Sequence, residues 1–367
     1  MANKLVDPGE VYLVGQYELG TSTPTTLYKI GMAQNDSTTI GRVKDHQTGN
    51  PNRIFIEEIF PCEATYLVEK LMHDKWNSER VSQEWFDFDA AQLAQVKLDI
   101  VAFENQHGAN IAALRTVYYA GPTAGDHPGL TPAQITQAET WRDEAYTLCE
   151  DMMKLKYEYS TLEFQILTAN GLNAEVDGIA TVKITPPFLE FSKNLIDPAL
   201  KTAYTNKPRK RKDDFRFRFT QATARICNLS PTAPSYWQNL HATEFAAYDA
   251  AKAAWNTMKA TITPTTVNTT VQPRTAAIET MYEDFIAKKM EYDEKAIELE
   301  ILKLNLRVLC FDYEGIAGVC QWSRATQTDE FHKTAFKINE PTLYNDPLNK
   351  EPKGDTAVPS LIKFKTW

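Results

Sequence analysis

The sequence predicts an α+β fold: an N-terminal three-stranded antiparallel sheet with packed helices, followed by a mainly α-helical region of two divergent repeats. Three observations predict it. β-branched and aromatic residues fill three short segments before residue 61. Apolar residues recur at helical spacing in long segments after residue 130. Short motifs also recur at a distance of about 140 residues.

The three predicted strands cover residues 10–17, 25–32 and 53–60. Their β-branched and aromatic content fits a pleated, half-buried surface. Gly20 and Pro24 lie between the first two strands, which indicates an antiparallel hairpin with a longer loop. Pro61 is expected to end the third strand, because proline has no amide hydrogen to give to a sheet.

A helix is predicted over residues 63–78 and is expected to pack across this sheet. Its apolar residues at helical spacing are Ala64, Leu67, Val68, Leu71, Met72 and Trp76. Glu69 and His73 are four residues apart and therefore share a face, which lets the glutamate hold a metal ion while the histidine supports it. A second amphipathic helix, over residues 90–103, closes the first domain.

Composition shifts divide the rest of the chain. We predict a first domain over residues 1–107, a Gly/Pro-containing linker over 108–130 and a first helical repeat over 131–225. A connecting helix (residues 243–259) and a Thr/Pro-rich linker fill 226–275, and the second repeat covers 276–367. Pro132 and Gly171 mark the start and stop of a long helix over 131–169. Further helices are predicted over 187–204 and 276–310.

The repeats are predicted from matching motifs. Asp177-Gly-Ile-Ala corresponds to Glu314-Gly-Ile-Ala, and Glu190-Phe-Ser-Lys corresponds to Glu330-Phe-His-Lys. Each motif set follows a long helix. Two copies of one unit predict pseudo-symmetric packing, and the same surfaces make a homo-oligomer through the repeats possible.

Composition also excludes some classes of protein. No apolar run is long enough for a membrane span or a signal peptide. The five cysteines are scattered and lack metal-ligand spacing, so we expect reduced thiols in a cytoplasmic protein, located in a bacterial host cell if it is phage-encoded. The sequence contains no Gly-rich phosphate loop, dinucleotide fingerprint or zinc-ligand spacing.

The first domain resembles a known family in the order of its polar motifs. In sequence these are Tyr12, Lys29-Ile30-Gly31, Arg42, His46, Gly49-Asn50-Pro51, Glu69, His73 and Glu84-Trp85-Phe86. Over about residues 9–90 this order resembles the GIY-YIG nuclease superfamily. It is most similar to the phage and fungal branch whose second motif reads Lys-Ile-Gly.

The resemblance implies hydrolysis of DNA phosphodiester bonds with one divalent cation, Mg²⁺ or Mn²⁺. Tyr12 corresponds to the tyrosine that positions or deprotonates water, and Arg42 to the arginine that binds the scissile phosphate. Glu69 corresponds to the metal-binding carboxylate, and His46 is a candidate general base. The chemistry needs these residue types, because phosphoryl transfer depends on charge neutralisation and on a group that takes a proton near neutral pH.

Two positions depart from the superfamily pattern. The first motif reads Val11-Tyr12-Leu13 instead of Gly-Ile-Tyr, and Lys29 replaces the tyrosine of the second motif. Strand alternation sends Tyr28 and Lys29 to opposite faces, and we expect Lys29 to lie in the site. Glu84 stands near the spacing of an asparagine of the superfamily.

Charge predicts where DNA would be held. The whole chain has a net charge of −9, and its first 110 residues contain nine basic and sixteen acidic residues. Because duplexes are bound largely through phosphates, an acidic catalytic domain needs a basic anchor elsewhere. The candidates are Lys207, Arg209, Lys210, Arg211, Lys212, Arg216 and Arg218. Alternatively, this run is a solvated loop beside an edge strand.

The function predicted is therefore metal-dependent DNA cleavage, with Tyr12, Lys29, Arg42, His46 and Glu69 as the site and His73 and Glu84 in support. Two alternatives remain open. One is a catalytically silent module that binds DNA or protein in phage recombination or assembly. The other is an inhibitor that binds protein through its acidic surface. Residues 302–367 also show a short resemblance to the C-terminal tail of phage recombination exonucleases, which favours phage DNA metabolism.

Overall fold

The computed structural model describes residues 7–34, 38–48, 50–82, 84–118, 121–171, 175–176, 179–184, 188–210, 214–219, 235–261, 270–323, 327–353 and 359–364. For residues 82, 180–184, 208–210, 235, 327–328 and 359–364 only the backbone is described. Most of the predicted Thr/Pro-rich linker, at residues 262–269, lies outside these ranges.

An antiparallel sheet forms the centre of the N-terminal region. Its strands are β1 (Gly9–Tyr17), β2 (Pro24–Gln34), β3 (Ile54–Cys62), β4 (Arg80–Ser82) and β5 (Trp85–Asp87). They are arranged in the order β3-β1-β2-β5-β4. The three predicted strands are confirmed, and the two short strands β4 and β5 make the sheet five-stranded instead of three-stranded.

The end of the third strand was predicted wrongly. Pro61 lies inside β3, where it is paired with Glu10 of β1. Because β3 is an edge strand of this sheet, the amide hydrogen that proline lacks is not needed by a second neighbour.

Three helices pack on the two faces of the sheet: α1 (Thr39–Gln47), α2 (Thr65–Lys75) and α3 (Ala90–Tyr118). The helix predicted over residues 63–78 is observed as α2 followed by a 3-10 turn, Asn77–Glu79. Residues 108–118, which we predicted as linker, belong instead to α3. Buried Ile111, Leu114 and Tyr118 continue its helical spacing, so the helix does not end at residue 103.

The region after α3 alternates between helices and short strands, and we divide it into two halves, before and after the connecting helices. The first half contains β6 (Thr123–Asp126), α4 (Pro132–Asn170), β7 (Glu175–Val176), β8 (Ala180–Ile184), β9 (Phe188–Phe191), α5 (Pro198–Ala203), β10 (Thr205–Lys210) and β11 (Asp214–Phe217). Two connecting helices follow, α6 (Ser235–Leu240) and α7 (Ala242–Lys259). The second half contains β12 (Val271–Gln272), α8 (Ala276–Cys310), β13 (Tyr313–Ile316), β14 (Cys320–Ser323), β15 (Gln327–Phe331), α9 (Lys333–Asn339), α10 (Pro341–Asn345), β16 (Lys350–Lys353) and β17 (Pro359–Phe364).

α4 begins and ends where its capping residues predict, and a threonine also caps the start of α8. Thr131 caps α4 and forms a reciprocal capping box with Gln134, while Pro132 occupies the first turn. Gly171 follows the helix with a φ of 64°, a left-handed value that favours glycine. Thr275 caps α8 through Ile278 N, at 3.3 Å. These local signals explain why both helices were predicted to within one residue at each end.

The helix predicted over residues 187–204 is only partly present. Residues 188–191 form β9, which pairs with β16 from the end of the chain, and only α5 is helical. Asp197 caps α5, where its carboxylate accepts from Ala199 N at 2.8 Å. The strand was missed because its pairing partner lies about 160 residues away in sequence, and local spacing carries no sign of it.

Strand pairing between the two halves is reciprocal. β6, which precedes α4, pairs in parallel with β13, and β12, which precedes α8, pairs in parallel with β7. β11 pairs with β14, and β17 pairs with β8, both antiparallel. β10 pairs with β15, and β16 pairs with β9. Each half therefore completes its sheets with strands of the other half.

A connected hydrophobic core links the N-terminal sheet with the long helices. It includes Val11 and Ile30 from the sheet, Leu114 from α3, and Leu306 and Trp322 from the second half, all of them buried. Cys62, Cys149, Cys310 and Cys320 are buried free thiols. Across the described residues, no helix combines the length and the apolar character that a membrane span requires.

The contact between α2 and α8 contains a buried acid. The pKa of Asp74 on α2 is raised to about 6, first because the carboxyl is buried and second because Asp293 of α8 lies nearby. Asp74 Oδ2 is buried and has no hydrogen-bond partner among the described residues. At neutral pH this junction therefore holds an unfavourable negative charge.

We expect Asp74→Asn to stabilise the protein at pH 8 by on the order of 1 kcal/mol and to have little effect at pH 4. A group whose pKa is raised by folding favours the folded state while it is protonated, and this stability is lost as the pH rises from about 4 through about 6. Urea unfolding at both pH values measures the difference. Asp87→Asn, at an exposed position of β5, is the control, and an equal gain at pH 4 and pH 8 would contradict the expectation.

Candidate active site

α1 is placed above the sheet by Glu10 of β1. The Glu10 carboxylate accepts hydrogen bonds from Thr39 N at 3.0 Å and Thr39 Oγ1 at 2.6 Å. Thr38 caps the same helix through Gly41 N, at 3.2 Å. Glu10 precedes Tyr12 by two residues, so strand alternation puts both side chains on one face. Arg42 and His46, four residues apart on α1, are thereby held over that face.

Tyr12 lies flat against the backbone of the neighbouring strand. It is fully buried and is paired with Gly31 of β2. A Cβ atom on Gly31 would lie 2.5 Å from the Tyr12 ring, closer than atoms in real structures approach. The glycine of the Lys29-Ile30-Gly31 motif is therefore required by the position of Tyr12.

Tyr12, Arg42 and His46 form a connected chain of polar groups. Tyr12 Oη is 3.1 Å from His46 Nε2, and it also accepts a hydrogen bond from the Arg42 guanidinium. Because a guanidinium can only donate, the phenol proton is left to donate to His46 when the imidazole proton is on Nδ1. The three residues, from one strand and one helix, thus share a single hydrogen-bond path.

The electrostatic environment keeps His46 neutral and Tyr12 protonated. Burial, together with the positive charges of Lys29 and Arg42, lowers the pKa of His46 below its usual 6.5. Burial raises the pKa of Tyr12 above 10, and the carboxylates of Glu84 and Glu69 raise it further. The charge and the hydrogen bond of Arg42 lower this pKa, but they do not outweigh burial. At neutral pH the imidazole can accept a proton, and the phenol cannot.

Lys29 lies on the Tyr12 face and Tyr28 on the opposite one. Lys29 is paired with Val14, and its buried ammonium donates to Glu84 in an ion pair. Tyr28 belongs to the core beneath α2 and α3. Burial would raise the pKa of Glu84, but the hydrogen bond and the charge of Lys29 outweigh it, so the pKa is lowered. Glu84 is therefore ionised.

Glu69 lies on α2, in the turn before His73. It is half-buried, and its charge is close enough to act on the Tyr12 hydroxyl. One turn later, His73 Nε2 lies 2.9 Å from the Ile30 carbonyl oxygen, and its ring packs against Phe86. Burial lowers the pKa of His73 to about 4, so the neutral ring donates to that carbonyl. His73 therefore fastens α2 to the strand that carries Lys29 and Gly31.

The predicted DNA-binding residues lie in β10 and β11, in the first half of the region that follows the sheet. Lys207 is paired with Glu330 at 3.2 Å, Arg218 with Asp126 at 2.9 Å, and Arg216 with Asp214. The backbones of Arg209 and Lys210 belong to β10, while Arg211 and Lys212 lie outside the described residues. The three members whose side chains the structure describes are thus already paired with acidic residues of the protein.

Two residues that matter for this geometry were not predicted. Glu10 could have been found, because its place two residues before Tyr12 puts it on the same face of β1. Arg80 donates to the His73 carbonyl oxygen at 2.8 Å and stacks on the Phe86 ring, 5.1 Å from its centroid. The sequence gives no signal for the role of Arg80, because its contacts form only when β4 pairs with β5.

The donor set can be compared with what a divalent cation needs. Among the residues that the structure describes, no group of three His, Cys, Asp or Glu side chains is arranged to hold a metal ion. The carboxylates of Glu69 and Glu84 both act electrostatically on Tyr12. Mg²⁺ and Mn²⁺ are commonly held by one or two carboxylates and keep several waters, whereas zinc sites take three or four protein ligands, so these residues agree better with Mg²⁺ or Mn²⁺ than with zinc.

Comparison with known proteins gives one finding for this part of the chain. Residues 9–101 match the T5orf172 domain. This domain is related to the GIY-YIG and HNH-like nucleases. The match contains all five strands of the sheet and the residues Tyr12, Lys29, Arg42, His46 and Glu69. No curated protein and no solved structure matches the chain.

We expect Gly31→Ala to destabilise the protein by about 1–3 kcal/mol and to displace the Tyr12 ring, because the new methyl group overlaps it. Urea unfolding measures the stability. Gly121→Ala is the matched control, since a Cβ at that position meets no atom within 4 Å. Equal stability of the two variants would show that Tyr12 does not need the space above Gly31.

Proposed function

We propose that the N-terminal domain hydrolyses phosphodiester bonds of DNA with Mg²⁺ or Mn²⁺, and that the protein is phage-encoded. The observation that carries the proposal is the contact of Tyr12 with His46 on one face of the sheet, beside Lys29 and Arg42, with the charge of Glu69 also acting on the Tyr12 hydroxyl. These residues come from β1, β2, α1 and α2, and each was expected in the site from its motif. The T5orf172 match supports a phage-associated nuclease-like module.

Each side chain has a role in this proposal. Arg42 is exposed and presents a planar, permanently charged donor to a phosphate. His46, kept neutral by burial and by neighbouring cations, takes a proton from the attacking water. Tyr12 remains protonated, so it orients His46 and does not act as the base. Lys29 supplies a fixed positive charge where the family commonly has a tyrosine.

Glu69 would hold the metal ion, and Glu84 would be its second carboxylate once Lys29 turns to the phosphate. The ion, when bound, supplies positive charge for the phosphate oxygens and polarises a water. Glu69 is suited to this role because its helix is fixed to β2 through His73 and Ile30.

DNA would approach an acidic domain, so phosphate contacts outside it would strengthen binding. The basic strands β10 and β11 are the proposed second contact. The side chains of their ion pairs with Glu330, Asp214 and Asp126 are about one-third to one-half exposed, and ion pairs at the surface contribute little to stability. A phosphate could therefore replace a carboxylate at small cost.

A silent binding module is the second candidate function. The observation that favours it is the ion pair between Lys29 and Glu84, which occupies two charged groups of the site with each other. In that case the domain would bind DNA or protein and would not cleave. The two candidates differ in a single measurement, which is cleavage in the presence of a divalent cation.

We expect the full-length protein to cleave DNA in Mg²⁺ or Mn²⁺, and Glu69→Gln and Arg42→Gln each to lower kcat at least about 100-fold. Glu69→Gln removes the charge and preserves the shape of the side chain, whereas Arg42→Gln removes the charge and shortens the side chain. Supercoiled, linear and branched DNA serve as substrates. Lys97→Gln is the control, because it removes ion pairs with Glu57 and Glu58 in the same domain away from the site.

Failure of the wild type to cut any substrate, combined with a shift of DNA in a gel, would favour the binding module. Loss of that shift when Lys210, Arg211 and Lys212 are neutralised would then locate the DNA contact. Cleavage that survives Glu69→Gln would contradict the assigned metal ligand.

We expect the kcat/KM of cleavage to fall on the acidic side only below pH 6.5, because the pKa of His46 is lowered and the ring must be neutral to accept a proton. Protonation as the pH falls removes the base, so activity is lost in the acid direction. A pH–rate profile of wild type against His46→Gln measures this. An acidic limb that persists unchanged in the variant would assign the base to another residue.

A further inference from the structure

Arg80 lies at the meeting point of the sheet, α2 and α8, and has no part in the proposed chemistry. It begins β4 and is paired with Phe86 of β5. Its Nη2 donates to the carbonyl oxygen of His73, in the last turn of α2, at 2.8 Å. Its guanidinium carbon lies 5.1 Å from the centroid of the Phe86 ring. A planar group is thus fixed on one face by an aromatic ring and at one edge by a helix end.

The charges around Arg80 come from three different elements. Burial lowers the pKa of the guanidinium, and the carboxylates of Asp74, Glu84 and Asp293 oppose this. Asp74 belongs to α2, Glu84 stands immediately before β5, and Asp293 belongs to α8. Arg80 Nε is buried without a hydrogen-bond partner among the described residues, so geometry and charge hold the group more than hydrogen bonding does.

Two of these neighbours, Glu84 and Asp74, belong to segments that also carry residues of the candidate site. Glu84 forms the ion pair with Lys29, and its backbone carbonyl accepts from Ile30 N at 3.2 Å. The end of α2 held by Arg80 is one turn beyond Glu69. A shift of the guanidinium would therefore move a carboxylate, an ammonium and the strand that carries Gly31.

The third neighbour belongs to the helical region. Asp293 lies on α8, which also contacts the 3-10 turn after α2, where Asn77 Nδ2 donates to Met290 Sδ at 2.8 Å. Asp293 forms an ion pair with Lys289 of the same helix, and its carboxylate also acts electrostatically on Arg80 at the place where the two regions meet.

We propose that Arg80 is a positioning residue for the cleavage reaction, holding the end of α2 and the Glu84 turn against α8, so that contact with the helical region sets the geometry of Glu69, Lys29 and Glu84. This inference rests on the proposed function. Arg80 itself touches no reacting atom.

The test uses four variants of the full-length chain. Arg80→Gln removes the charge, Arg80→Lys keeps the charge without the planar fork, and Asp293→Asn removes the α8 carboxylate that acts electrostatically on Arg80. Lys75→Gln is the matched control, because it removes another α2 ion pair, Lys75 with Asp99 at 2.9 Å, on a side chain that is half exposed. Two readouts are taken: amide hydrogen exchange, and kcat and KM for DNA cleavage in Mg²⁺.

In Arg80→Gln we expect exchange at the Ile30 and Trp76 amides to rise at least about 10-fold, since these donate to Glu84 and to the end of α2. We expect kcat to fall at least about 10-fold while KM changes less than about 2-fold, because the loss concerns geometry and not DNA binding. Arg80→Lys should recover most of the rate. Asp293→Asn should give a smaller change in the same direction, and Lys75→Gln none.

Unchanged exchange at both amides in Arg80→Gln would overturn the proposal, as would a wild-type kcat in that variant. If Arg80→Lys or Lys75→Gln has the same defect as Arg80→Gln, Arg80 contributes only to the stability of the fold, and the positioning role is contradicted. If Arg80→Gln does not fold, the same two measurements on Arg80→Lys and Asp293→Asn test the proposal, and unchanged exchange and kcat in both variants would overturn it. If the wild type does not cleave, the proposed function fails, and exchange alone tells whether Arg80 positions Glu84.

Discussion

The close approach of the Tyr12 ring to the backbone of Gly31 determines how the N-terminal domain can be built. A buried aromatic ring on β1 needs an empty place on β2, and only glycine provides it. The same strand pairing places Lys29 two residues away on the same face, and α1 closes over both. The site is therefore a consequence of sheet register, because a one-residue slip would turn every one of these strand side chains to the opposite face.

The charges of the site balance one another inside a domain that is acidic as a whole. Lys29, Arg42 and His46 lie together, and their mutual effect keeps the imidazole neutral. The negative charges of Glu69 and Glu84 offset the positive charges of Lys29 and Arg42, which without them would repel a metal ion. Cations and carboxylates thus act on one another around Tyr12, and their balance depends on α2, which is attached both to the sheet and to α8.

Local patterns were enough to predict the elements whose signals are local. The long helices α4 and α8, the three longer strands and the face of Lys29 follow from capping, alternation and spacing. Elements that depend on distant partners could not be predicted this way. β9 has its partner at the end of the chain, Pro61 is tolerated only because β3 is an edge strand, and α1, with few apolar residues, is held by the Glu10 carboxylate. Arg80 likewise has meaning only after β4, α2 and α8 have come together.

The reciprocal exchange of strands between the two halves has an evolutionary consequence. Two separate chains could form the same pairings as a homodimer, and joining the genes would fix the two partners in one polypeptide at a permanent local concentration. Once joined, the copies no longer have to serve both roles and can diverge in sequence. In the first copy β10 contains Lys207, Arg209 and Lys210, whereas its counterpart β16 in the second copy contains Glu351 between Lys350 and Lys353. Duplication and fusion would thus have allowed one copy to acquire a new surface while the other preserved the fold.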